Sequence, residues 1–185
     1  MSTVMIRTLG LALLMTLMSF TAYGSVCKLE RFSFGASLDS VQKSLALSEG
    51  MPLFPVAMGE SRQEFMVPGE EVCPRDKAFE GAPVIFVFLY DQLVEIQTTR
   101  LSEAPILVTW AEAVYGVKND KPPSFYDSEP YAEWWWDTEK SVIAYAIETL
   151  YGEVRESIII QSHNQALNFE KFAKEEEELM ERTGP

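Results

Sequence analysis

The sequence predicts an α+β fold with two layers, an antiparallel sheet carrying helices on one face, and a C-terminal helix. Three observations predict it. Runs rich in β-branched and aromatic residues recur at 83–90, 93–99, 132–137, 141–149 and 154–162, mostly separated by short polar breaks. Apolar residues at helical spacing mark 37–45, 102–116 and 164–182. Consecutive strands with short turns pair antiparallel, and helices that interrupt such a series pack over the sheet.

The first helix is expected over Ser37–Leu45. Leu38, Val41 and Leu45 follow the helical spacing, Ser37 suits the N-cap, and Asp39 favours the positive end of the dipole. Gly50 and Pro52 stop it. Short strands are expected near Leu53–Met58 and Gln63–Val67, in a segment rich in Pro, Gly and Glu. Pro83–Tyr90 and Leu93–Thr99 flank Asp91-Gln92 as a hairpin. The turn lacks glycine, so its type stays open. The first run is apolar on both faces and belongs at the centre of a sheet. In the second, Val94, Ile96 and Thr98 oppose Glu95 and Gln97, a half-buried alternation.

A second helix is expected from Ser102 to Gly116, with Ile106, Leu107, Trp110, Ala113 and Val114 as its core stripe and Pro105 in its first turn. Residues 117–130 read as a loop through Pro122-Pro123 and Pro130. Strands follow at Ala132–Asp137, Ser141–Thr149 and Val154–Ser162, with Gly152 at the last bend. The final helix runs from Asn164 to Arg182, docked by Leu167, Phe169, Phe172 and Ala173, with Glu175–Glu178 solvated. The segments 30–100 and 101–162 each read as a helix followed by strands, which suggests an internal duplication.

Residues 1–24 have the pattern of a signal peptide. Arg7 precedes an apolar run from Leu9 to Phe20, and Ala22 and Gly24 place small residues at the −3 and −1 positions of a cleavage after Gly24. The run is short for a bilayer span, so no membrane span is expected in the mature chain, residues 25–185. An uncleaved anchor is the competing reading. Export implies a periplasmic or secreted protein, and the absence of other targeting features favours a bacterial periplasm. The two cysteines, Cys27 and Cys73, agree with it. An even count in an oxidising compartment suggests a disulfide. A reactive thiol is the alternative, but no Cys-x-x-Cys occurs.

Arg7 is the one charged residue before Ser25, so the mature part holds 14 basic and 28 acidic residues, a formal charge of −14. Such a chain is repelled by phosphate backbones and anionic lipid, and no Lys/Arg cluster offsets this. No nucleic-acid partner is therefore expected. His163 is the only histidine, so no histidine-based metal cluster is expected. No phosphate loop, dinucleotide fingerprint or calcium loop occurs, and no cofactor is expected. No catalytic residue is assigned.

Phe34-Gly35-Ala36-Ser37, with Val41 and Leu45, resembles the helix entry of small bacterial envelope α+β proteins, such as the small lipoprotein of the outer-membrane barrel-assembly machinery. Phe86-x-Phe88-x-x-Asp91-x-Leu93-x-x-Ile96 is similar to the hairpin that follows in those domains. The tandem helix-plus-strands order also resembles β-lactamase inhibitor protein. The first resemblance spans roughly 32–99 and departs from the pattern: there is no lipobox, and a long insert separates helix from hairpin. It implies a two-layer fold used for protein binding and carries over no site residue.

The most suggestive stretch is Phe125–Asp137. Tyr126, Tyr131, Glu133, Trp134, Trp135, Trp136 and Asp137 are the candidate binding residues. On a strand, Trp134 and Trp136 point one way and Trp135 the other, so one set enters the core. The remaining face is either covered by the Pro-rich loop or C-terminal helix, or exposed. Exposed tryptophan beside carboxylates suits a protein partner, and suits a sugar ring. The expectation is a non-enzymatic, envelope-associated protein with a protein partner. The alternative is a glycan-binding module or hydrolase using Glu133 and Asp137 with the tryptophans.

Overall fold

The computed structural model describes residues 26–45, 54–57, 61–117, 131–150 and 153–183. The signal-like segment 1–24, Tyr126 and the loop 118–130 lie outside the described residues. Seven strands form one antiparallel sheet: β1 (Phe54–Ala57), β2 (Arg62–Pro68), β3 (Pro83–Leu89), β4 (Gln92–Ser102), β5 (Tyr131–Asp137), β6 (Ser141–Leu150) and β7 (Glu153–Ser162). Their order across the sheet is β1-β2-β3-β4-β7-β6-β5, so β4 and β7 join the two runs of strands. The helices are α1 (Leu38–Ser44), α2 (Gly69–Val72), α3 (Leu107–Tyr115) and α4 (Ala166–Thr183). The α+β class and the C-terminal helix stand as the sequence predicts.

The β3 side chains alternate between two buried environments. Val84, Phe86 and Phe88 enter the main core with Phe65, Ile96, Ile143, Tyr145, Ile158 and Ile160. Val87 and Leu89 enter a smaller cluster with Val94, which Phe169 and Phe172 of α4 cover. Both faces of β3 are therefore apolar because both are packed. This divides the helices: α1 and α3 sit on the main-core face and α4 on the other. The expected gathering of all helices on one face does not hold for α4. A register shift beside Val87 and Phe88 lets Val94 and Glu95 turn to the same side as Val87.

The β3–β4 turn lies one residue earlier than the sequence suggests. Tyr90 and Asp91 both adopt positive φ, 52° and 59°, the conformation of a two-residue hairpin turn. Asp91 tolerates it, and its Oδ1 accepts from the Leu38 amide, tying the turn to the start of α1. Gly35 (φ 84°) lies beside them. Its amide donates to the Leu93 carbonyl at 2.8 Å, and the Leu93 amide donates to Ala36 O at 2.9 Å. Ser37 caps α1, accepting from the Ser40 amide.

The second helix starts five residues later than Ser102. Ser102 ends β4, paired with Val154, and Pro105 precedes the helix instead of lying in its first turn. The ladder to β7 holds the backbone through Ser102, and no residue at the N-cap position supplies a cap. The Glu156 carboxylate supplies it instead, accepting from the Ile106, Leu107 and Val108 amides at 2.6, 3.1 and 3.1 Å. Ala111 is buried and Ala113 exposed, the reverse of the expected stripe. On α4, Phe169 and Phe172 dock as expected, whereas Leu167 and Ala173 are exposed.

Cys27 and Cys73 form a disulfide with a Cα–Cα distance of 5.7 Å. It ties the N-terminal described segment to the end of α2, under Trp110, whose indole N–H donates to Cys27 O at 2.8 Å. Among the described residues, no helix is long and apolar enough to cross a membrane.

Candidate functional site

Strand β5 alternates as its sequence requires. Trp136 is 5% exposed, and its indole N–H donates to Gly116 O at 2.9 Å. Trp134 is half-buried, with its ring centroid 5.1 Å from that of Tyr145. Both therefore belong to the core face. Trp135 points to the opposite face and is 53% exposed. Tyr131, Glu133 and Asp137 share that face and are exposed too.

Strand register shows what lies beside them. Trp135 pairs with Ala144, which pairs with Ile159 on β7. Glu133 pairs with Ala146, and Asp137 with Val142. The small β6 side chains leave the indole standing above its neighbours. Tyr131 pairs with Glu148, which is bridged to Arg155 at 3.0 Å. A row of apolar character thus crosses the face through Trp135, Ala144 and Ile159, with carboxylates on either side.

The polar groups of this face are held in place. The Tyr131 hydroxyl donates to Glu133 Oε2 at 2.8 Å. That hydrogen bond raises the Tyr131 pKa above its usual value, with desolvation adding to it. Asp137 Oδ1 lies 3.0 Å from His163 Nε2, and the same ring nitrogen lies 3.1 Å from Thr138 O. Farther across the sheet, Glu95 is buried and accepts from the carboxamides of Gln97 and Gln161. α4 covers the sheet beyond this point, over Val87 and Leu89.

The structure therefore brings Tyr131, Glu133, Trp135 and Asp137 together and sends Trp134 and Trp136 inward. Sequence reasoning missed Ala144, Ala146, Glu148, Arg155 and the His163 contact. One signal was available. In β6, Val142, Ala144 and Ala146 alternate with Ile143, Tyr145 and Ile147, so one face is bulky and the other small. The His163–Asp137 contact spans 26 positions and has no local sequence signature. Among the described residues, no group of three or more His, Cys, Asp or Glu side chains is placed to hold a metal ion.

Among the described residues, the fold and this face define an α+β protein with an open, aromatic and acidic sheet surface. Comparison with protein-family models, with curated proteins and with solved structures finds no match to the chain.

Proposed function

We propose that this is an exported, non-enzymatic protein of the cell envelope that binds another protein on the open face of β5, β6 and β7. The observation that carries the reading is Trp135, a large indole held 53% exposed above Ala144. Covering such a side chain with a partner removes apolar surface from water and gains about 25 cal/mol for each Å² buried. Tryptophan at the centre of a patch, with polar groups around it, is the usual anatomy of an energetic hot spot. The disulfide supports the export half of the reading, since such bonds persist in oxidising compartments. The resemblance to small envelope proteins points the same way.

The test is affinity capture from envelope extract with the wild-type protein and Trp135→Ala. A protein retained by the wild type and lost by the variant is the expected result. Identical partner lists remove the role of this face.

A glycan-binding reading has its own support, because Glu133 and Asp137 lie on the same face as the indole. Binding on a glycan array that Trp135→Ala abolishes would favour it over a protein partner. The hydrolase reading is weaker. Four positions along a strand separate these residues by about 13 Å at the backbone, so both side chains would have to lean together to reach the spacing of a glycosidase pair.

A further inference from the structure

The two edges of the sheet are built differently. β1, in its described part Phe54–Ala57, carries Pro55, whose nitrogen has no hydrogen to donate. Proline is a usual means of blunting an edge against further pairing. β5 has none. It is seven residues long and contains no proline, glycine or lysine. It pairs with β6 alone among the described strands, so half of its backbone N–H and C=O groups face outward.

The side chains along this edge specify what could pair with it. On the open face Tyr131, Glu133, Trp135 and Asp137 alternate acid with aromatic. On the core face stand Ala132, Trp134 and Trp136. A strand laid against β5 would place its own alternate residues beside each set. Lysine or arginine would meet Glu133 and Asp137 and stack its cation on the Trp135 indole. Apolar residues would lie on the same side as Ala132, Trp134 and Trp136. A second mature copy of this chain is a poor occupant by charge, since each would carry a formal −14.

We infer that β5 is a strand-addition site for an extended partner segment of about seven residues alternating basic and apolar side chains. The inference rests on the protein-binding role proposed above and specifies its mode. Backbone hydrogen bonds to the edge supply affinity, and the alternation of side chains supplies specificity.

The test uses the full mature chain and a blocked heptapeptide of alternating lysine and valine, titrated by calorimetry. Saturable binding is expected, at least tenfold weaker with Trp135→Ala. Binding should also slow hydrogen exchange at the β5 amides. Two further peptides carry N-methyl groups on one or the other alternate set of amides. One should bind and the other should not, because only one set faces β5. Glu133→Lys, an exposed change that leaves the core intact, should reverse the preference toward a glutamate–valine heptapeptide.

Equal binding by both methylated peptides overturns strand addition and leaves docking on the open face standing. Indifference to charge, or no binding of the lysine–valine peptide, overturns the assigned chemistry. A dimer in light scattering that Glu133→Lys dissolves assigns the edge to a second copy and overturns the basic occupant. Failure of the binding role itself is read separately, from envelope capture that Trp135→Ala does not change.

Discussion

The Tyr145 hydroxyl donates to Glu156 Oε1 at 2.8 Å, in a place where neither residue is exposed to solvent. The same carboxylate accepts the first amides of α3, so a β7 side chain sets where a helix from a distant part of the chain begins. A buried carboxylate is tolerated because donors surround it and the helix dipole favours a negative charge there. Hydrogen bonds to a charged group contribute about 1.5–3 kcal/mol each, and an unpaired buried donor costs a similar amount.

Glu156→Gln should therefore destabilise the fold by about 2–4 kcal/mol, because the new amide N–H₂ faces donors instead of accepting from them. Tyr145→Phe should cost about 1–2 kcal/mol, since Val108 still donates to the same oxygen. Urea unfolding of both single variants and the double variant measures this. A coupling energy indistinguishable from zero would show that the Tyr145–Glu156 hydrogen bond adds nothing to stability.

Trp135 and Trp136 are neighbours in sequence and opposites in energetics. Trp136→Ala should destabilise by about 3–5 kcal/mol, because it leaves a cavity against Tyr115 and removes the hydrogen bond to Gly116 O. Trp135→Ala should change stability by less than about 1 kcal/mol, as substitutions on exposed surface do. Thermal unfolding monitored by far-ultraviolet circular dichroism separates them. Equal losses at the two positions would mean that Trp135 is part of the core.

The contrast shows what the sequence made legible. Strand alternation alone separates Trp135 from its two neighbours, and the β3–β4 hairpin and the Ser37 cap are equally local. The start of α3 was not legible, because its cap comes from Glu156, some fifty positions away. Ser102 looked like a helix start and is a strand end, since the pairing with Val154 outweighs a local propensity. Leu167 looked like a docking residue on α4. It is exposed because Phe169 and Phe172 set which side of the helix meets β3 and β4. Which carboxylates gather near Trp135 depends on the pairing of β5 with β6 and β7, which no local pattern encodes.

The Cys27–Cys73 bond closes a loop spanning 46 positions. On the chain-entropy account it stabilises the folded state by about 4 kcal/mol, through restriction of the unfolded chain. Cys73 is buried in the core, so a reductant should reach it only after local opening. Replacing both cysteines by serine should lower the urea midpoint and steepen the transition, because the unlinked unfolded chain exposes more surface. The native protein should resist dithiothreitol in buffer and lose its bond in moderate urea. Rapid reduction of the native state would show that the N-terminal segment is not packed against Trp110.

Alkaline pH tests the buried tyrosines. Burial raises the pKa of Tyr115 and Tyr145 well above the usual phenol value, and Glu156 beside Tyr145 and Glu30 beside Tyr115 raise them further. Tyr90 is pushed up to about 12, by desolvation first and then by the Glu175 carboxylate. In the unfolded chain these groups lose their protons near pH 10. Above that pH the unfolded state binds fewer protons than the native state, so stability falls as pH rises. The contribution is fully present below about pH 10 and declines above it, by about 1.4 kcal/mol per pH unit for each fully buried tyrosine. The expected result is a cooperative unfolding at high pH in which part of the phenolate absorbance appears only with loss of structure. Tyr145→Phe removes one group from the linkage, so its stability should decline less steeply with pH, whatever its stability at neutral pH. A slope identical to that of the wild type would mean that the Tyr145 hydroxyl titrates freely, and the burial that joins it to Glu156 would have to be abandoned.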